Sequence, residues 1–228
     1  MPVTPVSILY VIRSSVVGIA VMCALLFLPA RSLNYWQGWL FIATFVASSI
    51  AYTAYLAKND PALLRRRTEA GISHEKESVQ RIIMACLYVL SIALVVAPPL
   101  DVRFGWSRLP WQACVLGDVG VAFSFYLFYL VSKVNTYAAA NVRVEEGQTV
   151  VSTGVYGLVR HPMYSAAIVL FVATPLALGS SWTLLLTPLC LAILVARIIN
   201  EEDVLIRELP GYPEYRENVR SRLIPYVW

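Results

Sequence analysis

The sequence predicts an all-α fold, a polytopic membrane bundle of about six hydrophobic helices. Three observations predict it. Of 228 residues, 58% are hydrophobic and only 14% are charged, against roughly 45–50% and 25% in soluble domains. The apolar residues gather in runs close to the roughly 20 residues a helix needs to cross a bilayer. None of these runs alternates with the period of two that marks a membrane barrel strand. The same composition excludes disorder, because far too much of the chain is apolar. Cys23, Cys86, Cys114 and Cys190 lie inside apolar runs and form no CxxC. They read as buried small hydrophobes, not as a disulfide framework or a zinc site.

Taken in order, the expected spans are 7–30, 34–57, 82–100, 109–132, 163–179 and 182–199. Arg13 before an apolar stretch and Ala30 after it resemble a signal peptide. The stretch instead continues into the second run, so the two read as a spanning pair. Gly179-Ser180-Ser181 separates the last two spans as a tight turn. These are the shortest arms, and five spans plus a partial hairpin is the alternative count. Loop 58–81 carries charges of both signs and reads as a short amphipathic surface segment. Tyr212, Tyr215, Tyr226 and Trp228 in the tail suit the membrane interface.

Charge asymmetry orients the bundle. With 58–81 in the cytoplasm, alternating spans place 133–162 and the tail there too. Fourteen of the 18 basic residues then share that side: Lys58, Arg65, Arg66, Arg67, Lys76, Arg81, Lys133, Arg143, Arg160, Arg197, Arg207, Arg216, Arg220 and Arg222. Only Arg31, Arg103 and Arg108 fall opposite, and Arg13 snorkels near the inner end of the first span. Both termini are therefore expected in the cytoplasm, and the net charge of +4 reflects inner loops, not nucleic-acid binding. Residues 1–228 read as one membrane domain. Within it, 1–132 form a four-helix anchor. The remainder, 133–228, carries the polar chemistry: a polar loop, the helical hairpin and a polar tail.

Polar chemistry concentrates in two stretches. In Arg160-His-Pro-Met-Tyr164, Pro162 fits the first helical position and His161 the N-cap. A helix N-terminus beside an arginine suits an anion; headgroup contact is the equally weighted alternative. In Arg197-Ile-Ile-Asn-Glu201-Glu202, Arg197 and Glu201 share a helix face. Paired carboxylates at a membrane boundary are either used or form a solvated ion pair. Asp118, in Gly117-Asp118-Val-Gly120, reads as part of a helix-packing notch with its carboxyl hydrogen-bonded inside the bundle. His74 has no evident ligand partners, so no metal site is expected. Neither GxSxG, HExxH, a Walker loop nor a Rossmann glycine pattern is present.

These residues carry a family resemblance. Thr153-Gly-Val-Tyr156, Arg160-His-Pro-Met-Tyr164, Arg197 with Glu201-Glu202, Gly211-Tyr-Pro-Glu-Tyr215 and Arg222-Leu-Ile-Pro-Tyr-Val-Trp228 follow in an order and spacing that resembles the isoprenylcysteine carboxyl methyltransferases and their bacterial relatives, a group that includes phospholipid N-methyltransferases. The resemblance covers roughly 135–228, with a weaker echo in Asn59-Asp-Pro-Ala-Leu-Leu-Arg-Arg-Arg67. It implies an integral membrane methyltransferase using S-adenosylmethionine (SAM). It places the cofactor segment on Gln148, Thr149, Val150, Val151, Tyr156 and His161, Pro162, Met163 and Tyr164. Asn141 falls at a polar cofactor contact, Glu201 at a cofactor-binding glutamate, and Arg197 on the acceptor side. Three positions depart from the family pattern: Gln148 for a common histidine, Ala166 for a common glycine, and Leu209-Pro210-Gly211 before the tyrosine pair.

Chemistry agrees with the resemblance. Arg160 or His161 suits the SAM carboxylate, Glu201 or Glu202 its amine or ribose, and aromatic faces its sulfonium. A lipophilic or lipid-linked carboxylate is the leading acceptor. It is already ionised at neutral pH and asks only for a positioning cation, for which Arg197 is the candidate. An amine acceptor would need Glu201 or Glu202 as base, and a thiol is also open. An NADPH-dependent sterol-reductase-like enzyme and a non-enzymatic membrane scaffold are the competing classes. Membrane lipids are the remaining expected partners.

Overall fold

The computed structural model describes residues 8–69, 71, 78–138 and 147–228. Asn141, Arg143, His74 and Lys76 lie outside the described residues. Eight helices follow in order: α1 (Ile8–Ala30), α2 (Trp36–Asn59), α3 (Pro61–Thr68), α4 (Ser78–Phe104), α5 (Trp111–Val134), α6 (Pro162–Ala177), α7 (Thr187–Glu208) and α8 (Tyr212–Asn218). The described residues contain no strand. Four helical segments are long and apolar enough to cross a membrane: Trp36–Asn59, Ser78–Phe104, Trp111–Val134 and Trp182–Glu208. Val16–Ala30 and Pro162–Ala177 are shorter apolar helices. The chain is an integral membrane protein. Exposed Val89, Ile92, Leu116, Val119 and Leu185 give these helices the apolar outer faces that lipid contact requires.

Each expected run coincides with a helix, but the ends differ. Residues 82–100 sit within the longer α4. α7 continues to Glu208, past the expected end at residue 199, because its last turns are held by side-chain bonds described below. Two other expectations need correction. Cys114 and Cys190 are buried, but Cys23 is half-buried and Cys86 is exposed, since α4 turns that face outward. Tyr212 and Tyr215 are buried rather than interfacial. They pack with Leu209, Val150, Leu205 and Val219.

The core joins α1, α2, α5 and α6. Leu26, Phe27, Phe41, Ile42, Val121, Ala173, Ala177 and Leu178 pack around Tyr35. The Tyr35 hydroxyl donates to the Leu178 carbonyl at 2.6 Å. Ser180 donates to Asp101, and the Trp182 indole donates to the Trp106 carbonyl at 3.2 Å. These bonds bring the α6–α7 turn against the α1–α2 and α4–α5 turns. α6 has only 16 residues, about 24 Å at about 1.5 Å per residue, and the turn Trp182–Leu186 extends the second arm.

α5 and α6 run antiparallel along a seam of small residues. A Cβ on Gly117 would stand 2.2 Å from the Ala177 nitrogen, and one on Gly120 would stand 2.9 Å from the Ala173 Cβ. Farther along, the Ser124 hydroxyl donates to the Ala166 carbonyl at 2.8 Å. Small residues let backbones approach where no hydrophobic force separates helix from lipid. The expected notch at 117–120 is therefore present. The Asp118 carboxyl is buried inside the bundle, its oxygens outside ideal hydrogen-bond geometry but within reach of a side-chain donor. Thr44 of α2 is the polar side chain opposite.

Gly117→Ala is expected to cost about 1–3 kcal/mol, since overpacking forces the two backbones apart. Thermal unfolding in detergent checks this. Gly18→Ala is the control, because a Cβ there meets nothing within 4 Å, and it should leave stability unchanged or slightly raised.

Candidate active site

The site is built where α6 begins. A 3₁₀ turn, Gly154–Gly157, leads into the extended residues before α6. His161 is the N-cap and Pro162 the first helical residue, as the sequence predicts. The C-terminal tail then lies along this entry. The Arg160 N–H donates to the Ser221 carbonyl and the His161 N–H to the Arg222 carbonyl, both at 2.9 Å. Ser165 donates to the Leu223 carbonyl at 2.6 Å. Gly211, at φ 84°, makes the left-handed turn from α7 into α8 that starts this return.

One carboxylate ties the pieces together. Glu202 of α7 accepts from Arg160 Nε at 2.7 Å, His161 Nε2 at 3.2 Å and Arg222 Nε at 3.0 Å. The side chains of Arg160, His161 and Glu202 are 3–4% exposed. Arg160 Nη1 also donates to the Val219 and Arg220 carbonyls at 2.7 and 2.8 Å. Two of the three guanidinium nitrogens of Arg160 are thus spent on structure.

A second network runs beside the first. The Tyr164 hydroxyl accepts from Arg197 Nε at 2.8 Å and donates to Glu201 Oε2. Arg197 Nη1 donates to Gln80 Oε1 at 3.0 Å, and the Gln80 amide donates to Asn200. Arg197 is 1% exposed. Through Tyr164 it reaches the site.

Between these networks and α8 opens a cleft of about 790 Å³, its mouth included. It brings together Gln148, Thr149, Val150, Val151, Tyr156, Arg160, His161, Met163, Tyr164 and Glu201 from the sequence-derived set. Pro162, Glu202 and Arg197 do not line it. Tyr212, Tyr215, Leu205, Leu209, Asn135 and Tyr137 do, though none has a cofactor role in the sequence reading. Only the tyrosine pair carried a signal, as part of the tail pattern. The Tyr215 hydroxyl donates to the Tyr156 carbonyl at 2.7 Å, which fixes one wall.

Burial pushes Tyr156 up to about 12, aided by the Glu201 charge and opposed by Asn135 and Arg67. Burial also raises Tyr212 and Tyr215. All three are neutral phenols at physiological pH. The buried Tyr212 hydroxyl closes no hydrogen bond among the described residues. Glu201 keeps its second oxygen for the cleft. The described residues hold no group of His, Cys, Asp or Glu able to bind a metal ion.

This donor set fits SAM. An uncommitted carboxylate oxygen and an orphaned hydroxyl suit ribose or amine groups. Tyrosine faces suit a sulfonium, and the aliphatic wall of Leu205, Leu209 and Val150 suits a purine. Residues 111–209, from the start of α5 through α7, match the phospholipid methyltransferase family. No curated protein matches the chain.

Glu202→Gln leaves two arginines facing a neutral amide. Breaking a buried charge pair from one side costs about 3–5 kcal/mol, and unfolding in detergent should show a loss of that order. Arg222→Ala should cost less, because Arg222 is 29% exposed and water takes its place. Equal losses in both variants would contradict the network.

Proposed function

We propose that this chain, whose residues 111–209 match the phospholipid methyltransferase family, is a membrane methyltransferase that uses SAM to methylate a lipophilic acceptor, with a lipid carboxylate favoured. The observation that carries the reading is the cleft itself. It gathers ten of the sequence-derived cofactor residues in one place, beside the buried Tyr212 hydroxyl, which closes no hydrogen bond among the described residues. The Lys/Arg asymmetry supports a cytoplasmic mouth for the cleft and cytoplasmic termini. The anchor and catalytic parts keep their proposed division at residue 132.

When bound, SAM would supply an electrophilic methyl to a carboxylate oxygen, with S-adenosylhomocysteine as the leaving group and a methyl ester as product, no proton transfer being needed. The chain's own work is alignment and exclusion of water. Glu201, oriented by the Tyr164 hydroxyl, takes the amine or ribose side. Arg197 fixes the Tyr164 hydroxyl and so positions Glu201. Arg160 and Arg222 together outweigh Glu202, which leaves positive charge near the cleft for a carboxylate of the cofactor. Tyr156 and Tyr164 offer aromatic faces to the sulfonium.

Calorimetry on the purified protein tests this with SAM and NADPH as titrants. SAM is expected to bind and NADPH not to. Glu201→Gln removes a charged acceptor, worth about 1.5–3 kcal/mol, which is about 10- to 100-fold in affinity. Tyr212→Phe, which removes a neutral hydroxyl, is expected to lower SAM affinity less. Wild-type affinity in both variants would refute the site. NADPH binding alone would place the chain among the reductases.

A further inference from the structure

Arg67 is a polar group that the proposed chemistry leaves unused. α3 is built to hold it. Asp60 caps the helix by accepting from the Leu63 N–H at 2.9 Å, and Pro61 occupies its first turn. Leu63 is fully buried. Arg66 donates to the Thr136 carbonyl at 2.9 Å and lies 5.0 Å from the Tyr137 ring centroid, so α3 is pinned to the chain leaving α5.

Arg67 then points inward, between α2, α5 and α6. Its guanidinium lies 5.4 Å from the Tyr52 ring centroid and 5.9 Å from that of Phe128. Among the described residues its Nη2 meets only the Met163 sulfur, at 3.6 Å. Its Nε is shut off from solvent and closes no hydrogen bond. No carboxylate among the described residues lies within ion-pair distance of it. Arg65 on the same helix differs, pairing with Glu69 at 2.7 Å on the exposed side. Burial pushes the Arg67 guanidinium down, with Tyr52 and Tyr156 opposing.

Arg67 is half-buried with its Nε closed off, and a partly desolvated guanidinium without an anion is costly to keep. Its fork matches a carboxylate bidentately. Its position is next to the cofactor cleft, because Met163 lines that cleft. On its other side runs a row of rings. Phe45, Phe125, Tyr52 and Phe128 stand 5.2–6.5 Å apart from ring to ring between α2 and α5. All four are half-buried, so each leaves apolar surface uncovered for a hydrocarbon chain.

We propose that Arg67 grips the carboxylate of a single-chain lipid acid whose hydrocarbon lies along the Tyr52–Phe125–Phe128 row. Arg67, not Arg197, is then the cation that positions the acceptor, and this rests on the methyltransferase reading above. Arg197 is committed to Tyr164 and Gln80, whereas the Arg67 fork faces aromatic carbon and a thioether.

The test uses the full chain in detergent without SAM, titrated with oleate, methyl oleate and dodecyl phosphate, with binding read by tryptophan fluorescence. Oleate is expected to bind, and Arg67→Gln to weaken it at least tenfold. Methyl oleate is expected to bind weakly and equally to both forms. SAM affinity, measured separately, should be unchanged in the variant and so certify its fold. Arg67→Lys keeps the charge without the fork and should bind oleate with intermediate affinity. Arg65→Gln should bind like wild type. Oleate affinity unchanged in Arg67→Gln, or oleate binding no tighter than methyl oleate, would overturn the assignment while intact SAM binding kept the methyltransferase reading. Dodecyl phosphate binding more tightly than oleate would overturn it too, since Arg67 would then be a headgroup anchor. Absent SAM binding in the wild type would remove the underlying reading instead.

Discussion

Everything at the working end of this bundle hangs on Glu202. Its carboxylate is buried, and two arginines and a histidine from separate segments converge on it. Arg160 and His161 precede α6, Glu202 belongs to α7, and Arg222 belongs to the tail. No hydrophobic contact could define this junction as sharply, because lipid competes for apolar surface as well as protein does. A buried ionic knot is different. Its parts are intolerable apart, so it fixes one arrangement of three segments. The residue one position earlier, Glu201, is thereby aimed into the cleft, where Tyr164 orients it. Two adjacent carboxylates thus divide into a structural one and one open to ligand.

The second constraint is the small-residue seam between α5 and α6. It sets how closely the two backbones approach, and therefore where the first turn of α6 and Tyr164 stand relative to α7. Ala166, in a position where a glycine is common in the resembling family, sits fully buried on this seam. The seam tolerates its methyl because Ser124 of α5 approaches with a side-chain bond to the Ala166 carbonyl, while the closest backbone approach lies at Gly117.

Much of this was readable from residue order. Apolar run length identified the helices, since a bilayer demands a fixed length. Pro162 marked the start of α6 because its fixed φ and missing N–H suit the first turn of a helix. The notch at Gly117 and Gly120 was legible for the same local reason. What escaped was long-range. Nothing local to Glu202 separates it from Glu201, and only the return of the tail makes Glu202 structural. Tyr212 and Tyr215 looked interfacial because aromatic residues near a membrane helix usually are. The left-handed turn at Gly211 folds them inward instead. Gln80, the partner of Arg197, stands 117 residues away from it with no local sign of its role. Arg67 was legible as one charge in a basic loop, but its seat against Tyr52 and Phe128 depends on how α3 docks.

Hydrogen exchange on the protein in lipid nanodiscs, with and without SAM, tests the central claim most directly. If this cleft holds SAM, the cofactor slows exchange at the described amides of 148–161 and 205–215, and the amides of 101–116 at the far end of the bundle are unchanged. Equal protection from NADPH, or protection confined to the far end, would contradict it.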